Sequence, residues 1–87
     1  MSWNLTLSNQ AREDLDYFRA HEPDVYRWCY TLARIVESTP FDGAGRPRSI
    51  EAIGTGVWAR NVTLEHRMVY EVFSDAIIVA SFRTHVD

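Results

Sequence analysis

The hydrophobic period changes once along this chain, and the change falls in a stretch that cannot be regular. Residues 39–48, "TPFDGAGRPR", hold two prolines and two glycines, so they read as a loop. Before the loop, "DVYRWCYTLARIVEST" places Val25, Trp28, Cys29, Leu32, Ile35 and Val36 at i, i+3, i+4, i+7, i+10 and i+11. That spacing is the broad apolar stripe of an amphipathic helix. After the loop, apolar residues recur at every second position, the period of a strand buried on one face. Helices grouped early and strands grouped late imply an α+β domain rather than an alternating α/β one.

The flanking segments extend this pattern. "WNLTL" (3–7) is rich in strand formers. Ser8 follows and can cap a helix, because its hydroxyl can accept from the first free backbone N–H groups. Ala11, Leu15 and Phe18 then share one helical face. "HEP" breaks the chain, and Pro23 suits a first helical position, where its missing N–H costs nothing. Two helices with so short a break pack as an antiparallel hairpin. Beyond the loop, "SIEAI" is a candidate short strand and "GTG" a turn. "VWARNVT", "HRMVYEVF" and "AIIVASFRTH" are candidate strands, joined by "LE" and "SD". The predicted order is β-α-α-β-β-β-β: an antiparallel sheet with the helical hairpin on one face.

At 87 residues the chain is expected to be a single domain spanning 1–87, because chains of this size bury only roughly 60–65% of their unfolded surface and need every apolar face. One cysteine, Cys29, allows no internal disulfide and fits a reducing cytoplasm. No run reads as a signal peptide or reaches the ~20 apolar residues of a membrane span. The net charge of −3 argues against strong nonspecific binding to nucleic acid, although all nine basic residues are arginine. Arginine offers a fixed fork of donors suited to phosphate. The acidity lies in residues 1–43, with four arginines against seven carboxylates; residues 44–87 hold five of each.

Alternation places Met68, Tyr70 and Val72 toward the helices and Arg67 on the open face. If Ile78, Ala80 and Phe82 also pack inward, Arg83 and His85 look out beside Arg67. Arg60 shares its side with Trp58 and Val62, so its direction stays open. Arginines and a histidine on an open sheet face can serve phosphodiester chemistry: a guanidinium stabilises a phosphorane-like transition state, and imidazole passes a proton near neutral pH. The plainer reading is that strand arginines are solvated ion-pair partners. His21 and His66, at a helix end and a turn, read as non-functional.

Residues 39–85 carry four motifs in register: TPF-x-G-x-G-x-P, then G-x-W-x-R, then EHR-x-VY, then a terminal R-x-H. In these the chain resembles the YoeB/Txe branch of the RelE toxin superfamily. The resemblance implies a ribosome-dependent, metal-free endoribonuclease that cleaves mRNA in the ribosomal A site and needs no cofactor. It implies a cognate YefM/Phd-type antitoxin as partner, besides the ribosome and mRNA. A homodimer or a toxin–antitoxin hetero-oligomer stays open, and no membrane is involved. Carried over position by position, Arg67 holds the scissile phosphate and His85 is the general acid. Arg46, Arg60 and Arg83 contact RNA backbone.

Two positions depart from the family pattern. Arg48 stands where the family has a glutamate base, and Val86 where it usually has tyrosine. An arginine cannot normally take a proton, since its pKa exceeds about 12. Arg48 is therefore assigned an electrostatic role, with the base supplied by Glu51, water or a ribosomal group. Two rivals stand beside this reading. One is a non-catalytic antitoxin-binding or regulatory module. The other is a toxin with another target, such as a topoisomerase; the retained EHR and terminal histidine argue against it.

Overall fold

The computed structural model describes residues 3–84. The elements follow the predicted order: β1 (Asn4–Leu7), α1 (Asn9–His21), α2 (Pro23–Ser38), β2 (Arg48–Ser49), β3 (Val57–Asn61), β4 (Arg67–Val72) and β5 (Ala76–Thr84). The strands form one sheet in the order β1-β5-β4-β3-β2.

Helix α1 starts where its cap predicts. Ser8 Oγ accepts from the Ala11 amide at 3.0 Å, which satisfies one of the free donors of the first turn. Pro23 opens α2. Ala11, Leu15 and Phe18 of α1 meet Cys29, Leu32 and Val36 of α2 over Met68, Tyr70, Ile77, Val79 and Phe82 of the sheet, all buried. A smaller apolar cluster of Val57, Ala59 and Val69 lies on the other side of the sheet, with Ile50 packed against it.

Three expectations need correction. The sheet is mixed, not wholly antiparallel: β1 runs parallel to β5, pairing Leu5 with Ile77 and Leu7 with Val79. Alternation shows which face of β1 is buried but carries no information about strand direction. The segment 49–53 is not a strand beyond Ser49; residues 51–53 turn, with the Ile53 and Gly54 amides both donating to Ile50 O. The third correction concerns β5. From Tyr70 to Arg67 β4 takes three steps, whereas its partner takes five, from Val79 to Thr84. The extra residues are β-bulges, and they reset the strand's phase. Ile77 and Val79 face the core in the first half and Phe82 in the second, while Ile78 is 42% exposed.

A bulge leaves backbone groups without ladder partners, and buried ones must find others. Here α1 supplies them. Asp14 Oδ2 accepts from the amides of Phe82 at 2.9 Å and Arg83 at 3.2 Å. Ser8 Oγ donates to Ala80 O at 2.7 Å, and the Ser8 amide donates to Val79 O at 2.9 Å. Asp14 is 2% exposed, a carboxylate set among apolar neighbours so that it can hold this kink.

Candidate nucleic-acid interface

The face of the sheet opposite the helices carries the polar groups of interest. Strand register aligns Arg48, Ala59, Val69 and Ser81 across β2, β3, β4 and β5. The next row is Asn61, Arg67 and Thr84. Directly paired residues project to the same side, so Arg48, Asn61, Arg67, Ser81 and Thr84 share one surface. Arg48 Nη1 donates to Asn61 Oδ1 at 3.4 Å, and the Ser81 and Thr84 hydroxyls are hydrogen-bonded to each other.

Arg67 is held in place by the turn that precedes it. Thr63 Oγ1 accepts from the Glu65 and His66 amides, each at 3.1 Å, which closes a tight turn. Arg67 Nη1 then donates to Thr63 O at 3.0 Å, His66 O at 3.2 Å and Leu64 O at 3.4 Å. These bonds spend one nitrogen of the guanidinium on the protein. Nε is buried without a partner among the described residues. Arg67 is thus anchored through Nη1, with Nε buried beside it and the residue as a whole half-buried.

The remaining expected site residues fall in different places. Arg46 and Arg48 are exposed, with Arg46 in a left-handed backbone conformation at φ 55°. Arg83 is a correction: it does not stand beside Arg67. Its guanidinium lies 3.6 Å from the centre of the Tyr17 ring on α1, because the bulges shift β5 and put Thr84, not Arg83, opposite Arg67. Arg60 is a second correction. It is fully buried and its donors are taken up inside the protein, so it has no surface to offer a phosphate. Glu51 is exposed in the 51–53 turn rather than on a strand beside Arg48. His66 turns inward, 5.3 Å from the Phe18 ring centre. His85 and Val86 lie outside the described residues.

The Arg60 guanidinium is enclosed by the loop of residues 39–45. Nε donates to the Tyr70 hydroxyl at 3.0 Å, Nη1 to Ala44 O at 2.9 Å, and Nη2 to Asp42 O at 2.7 Å and to Thr39 O. The Tyr70 hydroxyl donates onward to Pro40 O at 2.6 Å. Burial pushes the Tyr70 phenol above its ordinary pKa, and the bond from Arg60 pulls against that rise.

Sequence reasoning missed Asn61, Ser81 and Thr84 as members of the polar face, and Asp14 as the clamp on β5. Asn61 was accessible by counting two residues at a time from Ala59. Ser81 and Thr84 were not, because a bulge breaks that count. Asp14 had a signal in the helix itself, three residues after Ala11 and four before Phe18 on the buried stripe.

The profile of the YoeB-like toxins of bacterial type II toxin–antitoxin systems matches residues 7–86. The chain belongs to this family. Toxin YoeB of Escherichia coli (strain K12) is 31% identical over 81 residues, which cover 93% of this chain and 96% of the relative. Among solved structures, the YoeB dimer from Staphylococcus aureus superposes with a TM-score of 0.87 at 30% identity, covering 99% of this chain and 100% of that one. The heterotetrameric YoeB–YefM toxin–antitoxin complex from Staphylococcus aureus superposes at 0.82, also at 30% identity and with the same coverage. These superpositions extend over the whole arrangement described above, two helices on one side of a mixed five-stranded sheet. Among the described residues no helix is long and apolar enough to cross a membrane.

Proposed function

We propose that this YoeB-like toxin is a ribosome-dependent mRNA endoribonuclease, acting in the cytoplasm and neutralised by a YefM-type antitoxin. One observation carries the reading: Arg67, half-buried and locked to its own turn by Nη1, shares a sheet face with the exposed Arg48. A guanidinium held in this way is preorganised for a phosphate, since the protein has already fixed its direction. The chemistry is attack of a ribose 2′-OH on the adjacent phosphorus. A bond forms from O2′ to phosphorus, the bond to O5′ breaks, and the products are a cyclic phosphate and a 5′-OH.

In this mechanism the Arg67 guanidinium binds the non-bridging oxygens and neutralises the charge that builds on them. His85 gives its proton to the departing 5′ oxygen. Arg48 lowers the pKa of the 2′-OH by its field and attracts the phosphate. The proton leaving the 2′-OH goes to water, a ribosomal group or Glu51. With a net charge of −3 the protein lacks the phosphate-neutralising surface that drives nonspecific binding, so the ribosome is expected to present the RNA. The partner assignment draws on the Staphylococcus aureus relative found with YefM. The assembly is a homodimer or a toxin–antitoxin hetero-oligomer.

A second reading follows from Arg48, which puts a cation on the face where the chemistry calls for a base. On that reading the chain is an antitoxin-binding, regulatory module without cleavage. Primer extension on mRNA from translating ribosomes separates the two. The nuclease reading expects cuts with the wild type, none with Arg67→Ala or His85→Ala, and little cutting of free RNA at physiological salt. A wild type that leaves ribosome-bound mRNA intact while binding antitoxin supports the module. Equal cutting of free and ribosome-bound transcript rules out the ribosome dependence.

A further inference from the structure

We propose that Arg60 is a positioning residue: its buried guanidinium is the template on which the 39–45 loop folds, and it thereby sets where the exposed Arg46 sits and where Arg48 joins the sheet face. The effect on cleavage rests on the nuclease reading above; the effect on the loop does not.

The loop has almost no structure of its own to hold it. Between Ser38 at the end of α2 and Arg48 at the start of β2 it forms no regular element. Its backbone carbonyls nevertheless converge on one point. Those of Thr39, Asp42 and Ala44 accept from Arg60, that of Pro40 accepts from Tyr70, and that of Gly45 accepts from the Asn61 amide at 2.6 Å. A guanidinium has five donors in a rigid planar fork, and four bonds from it are made here. An ammonium cannot span these acceptors, because it is a point charge with a single nitrogen. No carboxylate is paired with Arg60 among the described residues; the salt bridges there join Arg19 to Asp16 and Arg27 to Asp24. The buried charge is therefore balanced by oriented carbonyl dipoles, which is also why the loop is drawn inward.

The glycines of the loop fit the same account. Gly43 and Gly45 have φ of +107° and +89°, where L side chains are strained. A Cβ on Gly43 would sit 3.4 Å from Arg60 Nη1. A Cβ on Gly45 would sit 3.2 Å from Arg60 Cβ and 3.1 Å from Asn61 O. The loop closes around Arg60 with space for hydrogen only. Directly after Gly45 come Arg46, Pro47 and Arg48, the last paired with Ala59 next to Arg60 on β3. Loosening the loop therefore loosens the delivery of both exposed arginines.

The test uses the full chain and two kinds of variant. Arg60→Lys and Arg60→Ala remove the fork, and Tyr70→Phe removes only the hydroxyl link while keeping the ring in the core. Hydrogen exchange is followed at two amides: Asn61, whose acceptor is in the loop, and Phe82, whose acceptor is Asp14. The expected result is that Asn61 protection falls roughly ten- to a hundredfold in the Arg60 variants, the worth of a lost hydrogen bond to a charged group. The fall in Tyr70→Phe should be smaller, and Phe82 should be little changed. Added guanidinium ion at low millimolar concentration should restore Asn61 protection to Arg60→Ala but not to Tyr70→Phe. Single-turnover cleavage on ribosomes should fall and recover in parallel. Unchanged Asn61 protection in Arg60→Lys overturns the proposal. If Arg60→Ala unfolds the whole protein, Tyr70→Phe decides, and unchanged Asn61 protection there also overturns it. A wild type that does not cleave RNA removes the nuclease reading but leaves the exchange result to decide the role of Arg60.

Discussion

Replacing Asp14 by alanine should destabilise this protein far more than replacing any surface carboxylate. Its side chain is 2% exposed and accepts three hydrogen bonds: from Phe82 N, from Arg83 N and from Gln10 Nε2 at 2.9 Å. Alanine leaves the two backbone amides facing a hole. Each buried donor without a partner costs about 1–3 kcal/mol. Relief from burying the carboxylate charge offsets part of that, because a desolvated ion is itself unfavourable. The net effect is about 2–4 kcal/mol, a large share of the ~5–15 kcal/mol that holds a small domain together. For a domain of this size each kcal/mol moves the melting temperature by about 4–8 °C, so the shift should be roughly 8–32 °C. Asp14→Asn keeps the shape and one acceptor and should lose about half as much. Asp16→Ala is the control. Asp16 bonds Arg19 with both side chains mostly exposed, and such pairs are worth under about 1 kcal/mol. Urea and thermal melts followed by circular dichroism measure all three, and exchange at the Phe82 and Arg83 amides localises the effect. A loss below about 1 kcal/mol for Asp14→Ala, or exchange at Phe82 no faster than in the wild type, would show that the carboxylate does not hold the bulge.

Cys29 should be inert in the native protein. Burial, with the nearby Asp14 charge adding to it, pushes the thiol up to about 12, so labelling with Ellman's reagent at pH 8 should be slow and become rapid in urea. Because the folded value is raised, the associated stability is complete below about pH 9 and fades as pH rises toward about 12; denaturant midpoints that rise across that window would contradict it. Gly45→Ala places a Cβ against Asn61 O at φ +89° and should cost about 1–3 kcal/mol, read as a lower urea midpoint; an unchanged midpoint would mean the loop moves aside freely. On the nuclease reading, Arg48→Glu should raise the single-turnover rate on ribosomes and Arg48→Ala should lower it, since general-base help is worth about 10²–10⁴-fold. Loss of cleavage in a folded Glu51→Ala variant would identify Glu51 as the base and remove the electrostatic role of Arg48.

The order of elements, the helical hairpin and the loop between helices and strands were legible from the chain alone. Each depends on a period or a breaker that is local: the stripe from Val25 to Val36, the cap at Ser8, the prolines and glycines of 39–48. So was the open-face position of Arg67, since β4 alternates without interruption from Met68 to Val72. What the chain alone did not reveal depends on partners distant in sequence. The direction of β1 is decided by the free edge of β5, which lies about seventy residues away. The phase of β5 is decided by Asp14 and Ser8, which accept and donate where the bulges leave the ladder open; this moved Ile78 out of the core and Arg83 away from Arg67. Arg60 reads as a cation for phosphate until the fold encloses it, because five donors look the same in a sequence whether they meet an RNA or the carbonyls of the protein's own loop. Residue type states what a side chain can bond. Only packing decides which acceptors come within reach and whether water can compete for them.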